Sequence, residues 1–502
     1  MILQALRQFL SRKHTLEYLA FVFILILATV LSCYRIAEPA WDDTHGQGVL
    51  DGHHGTVLSE NGHYAQNYLR FGYLRTKFGQ VTHWEEVKST DVFHYYLDHP
   101  PLITLLISLS FRLLGTQAWS ARLVTVTSSL GILLLVFFLA RRLADVRVAL
   151  FASFLLALTP MYNYYARLSD QHVLASFFSL LTFVFYLLWI ESGTRWFYVG
   201  IFISFILGAL SDWVTYFVVP PILLHYLALE YRRSRNLRFV ILFGLAPIVL
   251  FGTYLGWTYS LAGKGAIEGL LNRFLFRTTS GGATGGTFLF TVWDFYAQGY
   301  TRARLFLTPT ICLLSIVWLV SFIVSATQGR FVNQDAFLFS LLLFGLSHDL
   351  VLRNLVFIHD YSMFFHLVPF FAIAATLGAK SIAQKIFRNR WTWTVPLVLI
   401  IGYSLGTQSI SAWRQLHKVA ILPDLYLLGA RVNAITERSA KVMGPFNPDL
   451  RMLFHADRPW LVMRDLNTMR ELLEGDRDFS LYVLDAKSVS YTHLRLPTIY
   501  SV

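Results

Sequence analysis

Long apolar runs dominate the 502-residue chain and constrain its fold more than any other feature. A helix that crosses a bilayer needs about 20 predominantly apolar residues. Eleven runs near that length lie at 16–33, 119–140, 147–166, 172–190, 196–210, 214–229, 239–258, 305–326, 336–352, 361–379 and 393–410. They predict an all-α polytopic membrane protein embedded in a lipid bilayer. Charged residues make up 14% of the chain, against about 25% in soluble domains. The net charge of +12 does not imply a nucleic-acid partner, because the Arg and Lys blocks sit in short loops between apolar runs. Cys33 and Cys312 both fall in apolar runs, so neither a disulfide framework nor a Cys-based metal site is indicated. Arg7, Arg12 and Lys13 precede the first run, which lacks a small-residue cleavage site and reads as an uncleaved span.

Residues 100–111 are apolar for only twelve positions before Arg112. The positive-inside rule tests whether they cross. If they do not, the cytoplasmic side receives the N-terminus and the loops 140–147, 191–195, 230–238, 327–335 and 378–390, which hold most of the short-loop Arg and Lys. The opposite loops, 167–171, 211–213 and 353–360, hold two Arg and no Lys. The expectation is therefore a surface helix over 100–114 and a multi-pass protein of the inner or plasma membrane with a cytoplasmic N-terminus. A first loop (34–99), a second long loop (259–304) and the chain beyond 410 then lie outside. Residues 1–410 form the membrane domain and 411–487 a small external α/β domain. In that domain "RMLFHA" (451–456) and "FSLYVLDA" (479–486) read as strands, and "DLNTMRELLEG" (465–475) as a helix capped by Asp465 or Asn467. The last fifteen residues, 488–502, resemble translated adapter DNA and read as a non-native tail.

Groups able to do chemistry collect on the external side. In "LSENGHYAQNYLRFG" (58–72), Tyr64, Tyr68 and Phe71 recur at helical spacing, with Ser59 as N-cap and Glu60 in the first turn. On the loop alone, a dipole-compensating surface acid is the favoured reading of Glu60. Asp170 stands in a short loop beside Arg167 and His172; Asp212, His359 and Asp360 stand at other span ends. Brought together, such groups line a cleft in which one acid serves as base and others position or bind a metal. The first-loop histidines (His45, His53, His54, His63, His83, His94, His99) lack helical zinc spacing, so a divalent metal stays open rather than assigned. Arg273 and Arg277, four apart, suit a lipid phosphate or interfacial snorkelling equally. "SGGATGG" (280–286) lacks the context of a phosphate loop and reads as a flap.

The order of these motifs is informative: Glu60, "HYAQN" (63–67), Gly72, "DHPPL" (98–102), "VALFASFLLALTP" (148–160), "YYARLSD" (164–170) and "HDY" (359–361). It resembles the protein O-mannosyltransferase and lipid A aminoarabinose transferase group, the family 39 type of GT-C glycosyltransferase. The resemblance spans roughly residues 16–410 and is strongest over 55–190. It implies a GT-C helical bundle that takes a monosaccharide from a polyprenyl-phosphate donor and passes it to a protein, lipid or glycan acceptor. Glu60 then takes the place of the catalytic base, although the family's usual Asp-Glu pair reads Glu60-Asn61 here. Asp170 matches the second-loop acid. Asp98-His99 matches an Asp-x-His-Pro-Pro motif with one residue missing. Cations near the lipid phosphate, from Arg167, Arg273, Arg277 and His359, would stabilise the leaving group. Asp98, His99, Asp212, Asp360 and Tyr361 would line or brace the cleft. A transporter or flippase for lipid-linked sugars, and an oligosaccharide ligase or polymerase, share the topology and are the alternatives.

Overall fold

The computed structural model describes residues 15–39, 53–83, 92–278, 290–330, 332–386, 391–417, 424–437, 440–444, 448–462 and 479–482. Each of the eleven apolar runs falls largely on helix, the run 361–379 after a turn at 361–364. The chain opens with α1 (Thr15–Ser32) and α2 (His53–Phe71). A short antiparallel ribbon, β1 (Gln80–Val81) with β2 (Tyr95–Tyr96), leads to α3 (Leu102–Leu114). Next come α4 (Ala118–Leu143), α5 (Val146–Leu158), α6 (Pro160–Tyr165), α7 (Gln171–Ser192) and α8 (Arg195–Ala209). A tight turn at Trp213–Val218 feeds α9 (Val219–His225) and, past 226–230, α10 (Tyr231–Ser234). The bundle continues with α11 (Leu237–Thr278), α12 (Val292–Arg302), α13 (Pro309–Thr327), α14 (Asn333–Val351) and α15 (Arg353–Ile358). It ends with α16 (Val368–Ile386) and α17 (Trp391–His417).

Seven helical segments among the described residues are long and apolar enough to cross a membrane. Their outer faces agree: α1 exposes Leu16, Leu19, Phe23 and Ile26, and α11 exposes Leu242, Leu245, Ile248 and Val249. So broad an apolar girdle is cheap only against hydrocarbon. Inside, an aromatic cluster of Tyr186, Trp189, Tyr226, Phe239 and Phe337 joins α7 to α11 and α14. At Gly378 an added Cβ would sit 2.0 Å from the Leu314 carbonyl, so α13 and α16 touch through backbone and only glycine fits. The expected short helix appears as α3. Its 13 residues span about 20 Å, short of a hydrocarbon core about 30 Å thick.

Three expectations change. First, α2 begins at His53, so Ser59 lies inside the helix and does not cap it. The reason is packing: Val57 and Leu58 are buried and extend the apolar stripe about two turns upstream of Tyr64. Second, the long loop expected at 259–304 is largely helical. After a break at Gly263 (φ 70°), α11 continues to Thr278, supported by a Lys264–Glu268 pair at i,i+4 and by buried Leu270. Third, "RMLFHA" is helix. After α18 (Asp424–Ile435) and β3 (Lys441–Gly444) comes α19 (Leu450–Ala456), capped by the Asp449 carboxylate, which accepts from Arg451 N. Met452, Leu453, Phe454 and Ala456 are all buried, so so short a run carries no readable period. β4 (Trp460–Val462) and β5 (Phe479–Tyr482) flank β3 in a parallel sheet ordered β4-β3-β5. This unit docks on the bundle through Phe454, which packs with Leu58, Ala65, Ile103 and Phe111. The segments 280–286, 465–475 and 488–502, and His45, lie outside the described residues.

Candidate active site

Four segments meet at one end of the bundle: α2, the link from β2 to α3, the start of α7, and the turn before α16. Glu60 stands seven residues into α2, about two turns from its start. The macrodipole acts within the first turn, so compensation of the helix end does not account for this acid. Its neighbour Asn61 donates Nδ2–H to the Ser169 carbonyl at 2.7 Å. That bond holds α2 against the residue preceding Asp170. Asp170 caps α7, accepting from His172 N at 2.9 Å and contacting His172 Nδ1 at 2.5 Å.

Asp98 is carried by the β2–α3 link. The register Gln80↔Tyr96 sets that link, and two aromatic donors fix its backbone. Tyr254 donates its hydroxyl to Leu97 O at 2.8 Å, and Trp213 donates Nε1–H to Asp98 O at 2.7 Å. The Asp98 carboxylate meets Arg273 Nε at 3.0 Å.

Tyr96 lies among the three acids. Burial drives its phenol well above the usual range, and the charges of Asp98, Glu60 and Asp170 raise it further. Burial followed by Glu60 and Asp98 does the same to Tyr64. Both phenols therefore stay protonated and act as donors. Tyr361 continues the row: burial and the Asp170 charge raise it, while Arg277 opposes them. Arg277 Nη1 donates to His359 Nε2 at 3.2 Å, and the His359 ring lies 5.3 Å from Tyr361. The row thus runs from carboxylates, across two tyrosines, to a guanidinium and an imidazole.

Other expected residues brace this row. Asp212 caps the 213–218 turn and reaches His99 Nδ1 at 3.2 Å and His172 Nδ1 at 3.3 Å. Burial would raise its carboxyl, but His172 and His99 hold it well below the ordinary range. Gln80 Nε2 donates to His99 O at 2.8 Å and ties the link to the ribbon. Asp360 is 3% exposed and shares the surroundings of Tyr165 with Arg302. Arg167 is fully buried against Tyr34 and Tyr164, with Nη2 2.7 Å from His417 Nε2. Burial and the Arg167 charge push His417 down to about 3, so its neutral ring accepts from that guanidinium. Arg167 thereby anchors α6 to α17.

Sequence reasoning did not pick out Tyr64, Tyr96, Trp213 or Tyr254 as site residues, because aromatics are common throughout the chain. Nor did it bring His348 or His366, which stand in apolar runs, to the site. The structure brings them to His172, with one ligand nitrogen of each within 4.8 Å of the others. A separate cleft of about 760 Å³ opens between α2, α3 and the C-terminal unit, lined by Tyr68, Tyr73, Arg112, Asp457 and Arg458; the three carboxylates do not line it.

This bundle, with a short helix and an acid-bearing helix over one end, has the fold of the GT-C glycosyltransferases. ArnT from Cupriavidus metallidurans in the apo state matches with a TM-score of 0.54 at 12% identity, over 95% of this chain and 94% of that one. The same protein bound to undecaprenyl phosphate matches at 0.54 and 13% identity, over 93% and 90%. The archaeal oligosaccharyltransferase AglB from Archaeoglobus fulgidus, in complex with an inhibitory peptide and a dolichol-phosphate, matches at 0.53 and 13%, over 93% and 69%. Residues 98–257 match the family model described as dolichyl-phosphate-mannose-protein mannosyltransferase. That stretch holds Asp98, His99, Asp170 and Asp212. No curated protein matches the chain in sequence.

Proposed function

We propose that this protein transfers a monosaccharide from a polyprenyl-phosphate carrier to an acceptor hydroxyl, by inverting displacement on the extracytoplasmic face. One observation carries the reading. Glu60, Asp98 and Asp170 bear on Tyr96, and the next tyrosine in the row, Tyr361, meets Arg277 and His359. An inverting displacement needs that polarity: a proton acceptor behind the nucleophile and cations at the departing phosphate. Glu60 takes the acceptor proton. Asp170 orients the acceptor or the sugar. Arg273, Arg277 and His359 stabilise the lipid phosphate as it leaves. Tyr96 and Tyr361 donate hydrogen bonds between the two ends. The matched family and the lipid-phosphate ligands of the structural neighbours support the donor class.

The test is reconstitution into vesicles with radiolabelled polyprenyl-phosphate sugars and a mixed pool of acceptors. Glu60→Gln is expected to lower turnover by ~10²-fold or more, and Asp170→Asn to impair it as well. If both variants transfer at the wild-type rate, the assignment fails. If the wild type moves the carrier across the bilayer and leaves the sugar on it, the protein is a transporter.

A further inference from the structure

We propose a buried three-histidine divalent metal site formed by His172, His348 and His366, with zinc as the fitting ion. The three residues come from different elements: the first turn of α7, the last turn of α14, and the Phe365–Leu367 turn before α16. One ring nitrogen from each lies within 4.8 Å of the others, and the rings are 1–4% exposed.

The second nitrogens are already held. His172 Nδ1 meets Asp170 at 2.5 Å and Asp212 at 3.3 Å. His348 Nδ1 meets Asp349 Oδ1 at 2.9 Å. His366 Nδ1 meets Ser176 Oγ at 2.5 Å. This leaves Nε2 of each ring as the ligand atom. His366 Nε2 is buried with no hydrogen-bond partner among the described residues. Imidazoles that bind metal characteristically give their other nitrogen to a carboxylate or another oxygen, which fixes tautomer and ring direction. Here all three do.

Charge gives an independent reason. Asp170, Asp212 and Asp349 are 2%, 3% and 6% exposed, and all contact the histidine shell. His99 and His172 offset Asp212 in part, and burying three carboxylates is costly unless further cations offset the rest. A divalent ion at the Nε2 atoms supplies two positive charges at the centre. Tetrahedral zinc with Zn–N near 2.1 Å sets its ligands about 3.4 Å apart, so nitrogens within 4.8 Å of one another need to close by up to about 1.4 Å (4.8 − 3.4). Ser362 Oγ, 3.1 Å from His172 Nε2, or a water completes the fourth position.

The ion is a positioning device. It pins the start of α7 to α14 and to the turn before α16, and through His172 it fixes the direction of Asp170. The inference concerns binding and holds whether or not the protein transfers sugar.

The test uses the full chain in detergent, stripped with chelator, dialysed and titrated with Zn²⁺ and Co²⁺. One zinc per chain by elemental analysis, and visible absorption of four-coordinate Co²⁺ displaced by Zn²⁺, are expected. His348→Ala and His366→Ala should weaken binding by ~10²-fold or more, and Asp349→Asn by ~10–100-fold. His225→Ala, a buried histidine bonded to Tyr186 and outside the cluster, should leave it unchanged. The proposal is overturned if the wild type holds no stoichiometric zinc and gives no four-coordinate Co²⁺ spectrum. It is also overturned if binding survives the loss of both His348 and His366.

Discussion

Asn61→Asp should injure this protein, although it restores an acid where the resembling family carries one. Asn61 is 7% exposed and donates to the Ser169 carbonyl at 2.7 Å. An ionised carboxylate has no proton to donate there. The change loses a hydrogen bond worth ~1 kcal/mol and strands a buried carbonyl against a like partner, at a further ~1–3 kcal/mol. The sum is about 2–4 kcal/mol. Because Ser169 precedes Asp170, the strain falls on the helix-start acid, and sugar transfer should drop with stability.

A pH series separates this mechanism from generic damage. Burial beside a carbonyl raises the introduced carboxyl above the ordinary Asp value of about 3.9. A raised group stabilises the fold when protonated and loses that contribution as pH rises through its folded value. Protonated, the new O–H can donate to Ser169 O. The stability gap between variant and wild type should therefore narrow from pH 7.5 to pH 5, while the gap for Asn61→Ala stays constant. Unfolding by SDS in mixed micelles measures both. A variant within ~0.5 kcal/mol of wild type at pH 7.5, or a gap that does not narrow on acidification, refutes the reasoning.

Arg277→Ala should lower kcat/KM for the lipid-linked donor by ~10–100-fold, the equivalent of a charged hydrogen bond of ~1.5–3 kcal/mol; unchanged donor kinetics would remove it from the phosphate site. Gly62→Val should destabilise by ~1–3 kcal/mol, since an added Cβ would lie 2.5 Å from the Phe454 ring. Adding Phe454→Ala should relieve part of that cost, and strict additivity in the double mutant would show that the two do not meet. His63 is pushed down to about 4 by burial and then the Arg70 charge, and His455 to about 3 by burial and then Arg122. Depressed groups of this kind favour folding above the unfolded value near 6.5 and lose that contribution as pH falls. The melting temperature should decline between pH 6.5 and pH 4, less steeply in His63→Gln; parallel curves would count against a buried neutral His63.

The helical layout was legible because hydrocarbon imposes one pattern on any chain that crosses it. Even the short α3 followed from counting apolar residues before Arg112. The places that escaped have local reasons. Residues 259–278 continue as helix because widely spaced leucines and one ion pair sustain it, below the signal of an apolar run. In "RMLFHA", Met452, Leu453, Phe454 and Ala456 are all buried, which erases the period that separates helix from strand. Within the site, single acids at span ends were readable as a set because polar groups are scarce there. Which acids brace and which face the row was not readable, since that depends on the Asn61–Ser169 bond and the His99–Asp212–His172 chain, contacts between residues 108, 113 and 40 (212 − 172) positions apart. The histidine cluster was hidden for the same reason, since His172 and His366 are 194 positions apart (366 − 172).

These contacts also sort the three acids. A general base must present its carboxylate to the acceptor hydroxyl. Asp98 is paired with Arg273, and Asp170 is engaged by the backbone and ring of His172. Both are better placed to hold geometry than to take a proton. Glu60 sits mid-helix, beyond the reach of the helix dipole, and its charge bears on the phenols of Tyr64 and Tyr96. Its charge acts on Tyr96 together with those of Asp98 and Asp170. The same crowding explains why an amide follows it: a fourth carboxylate at Asn61 would raise the repulsion and cut the bond that holds Asp170 in reach.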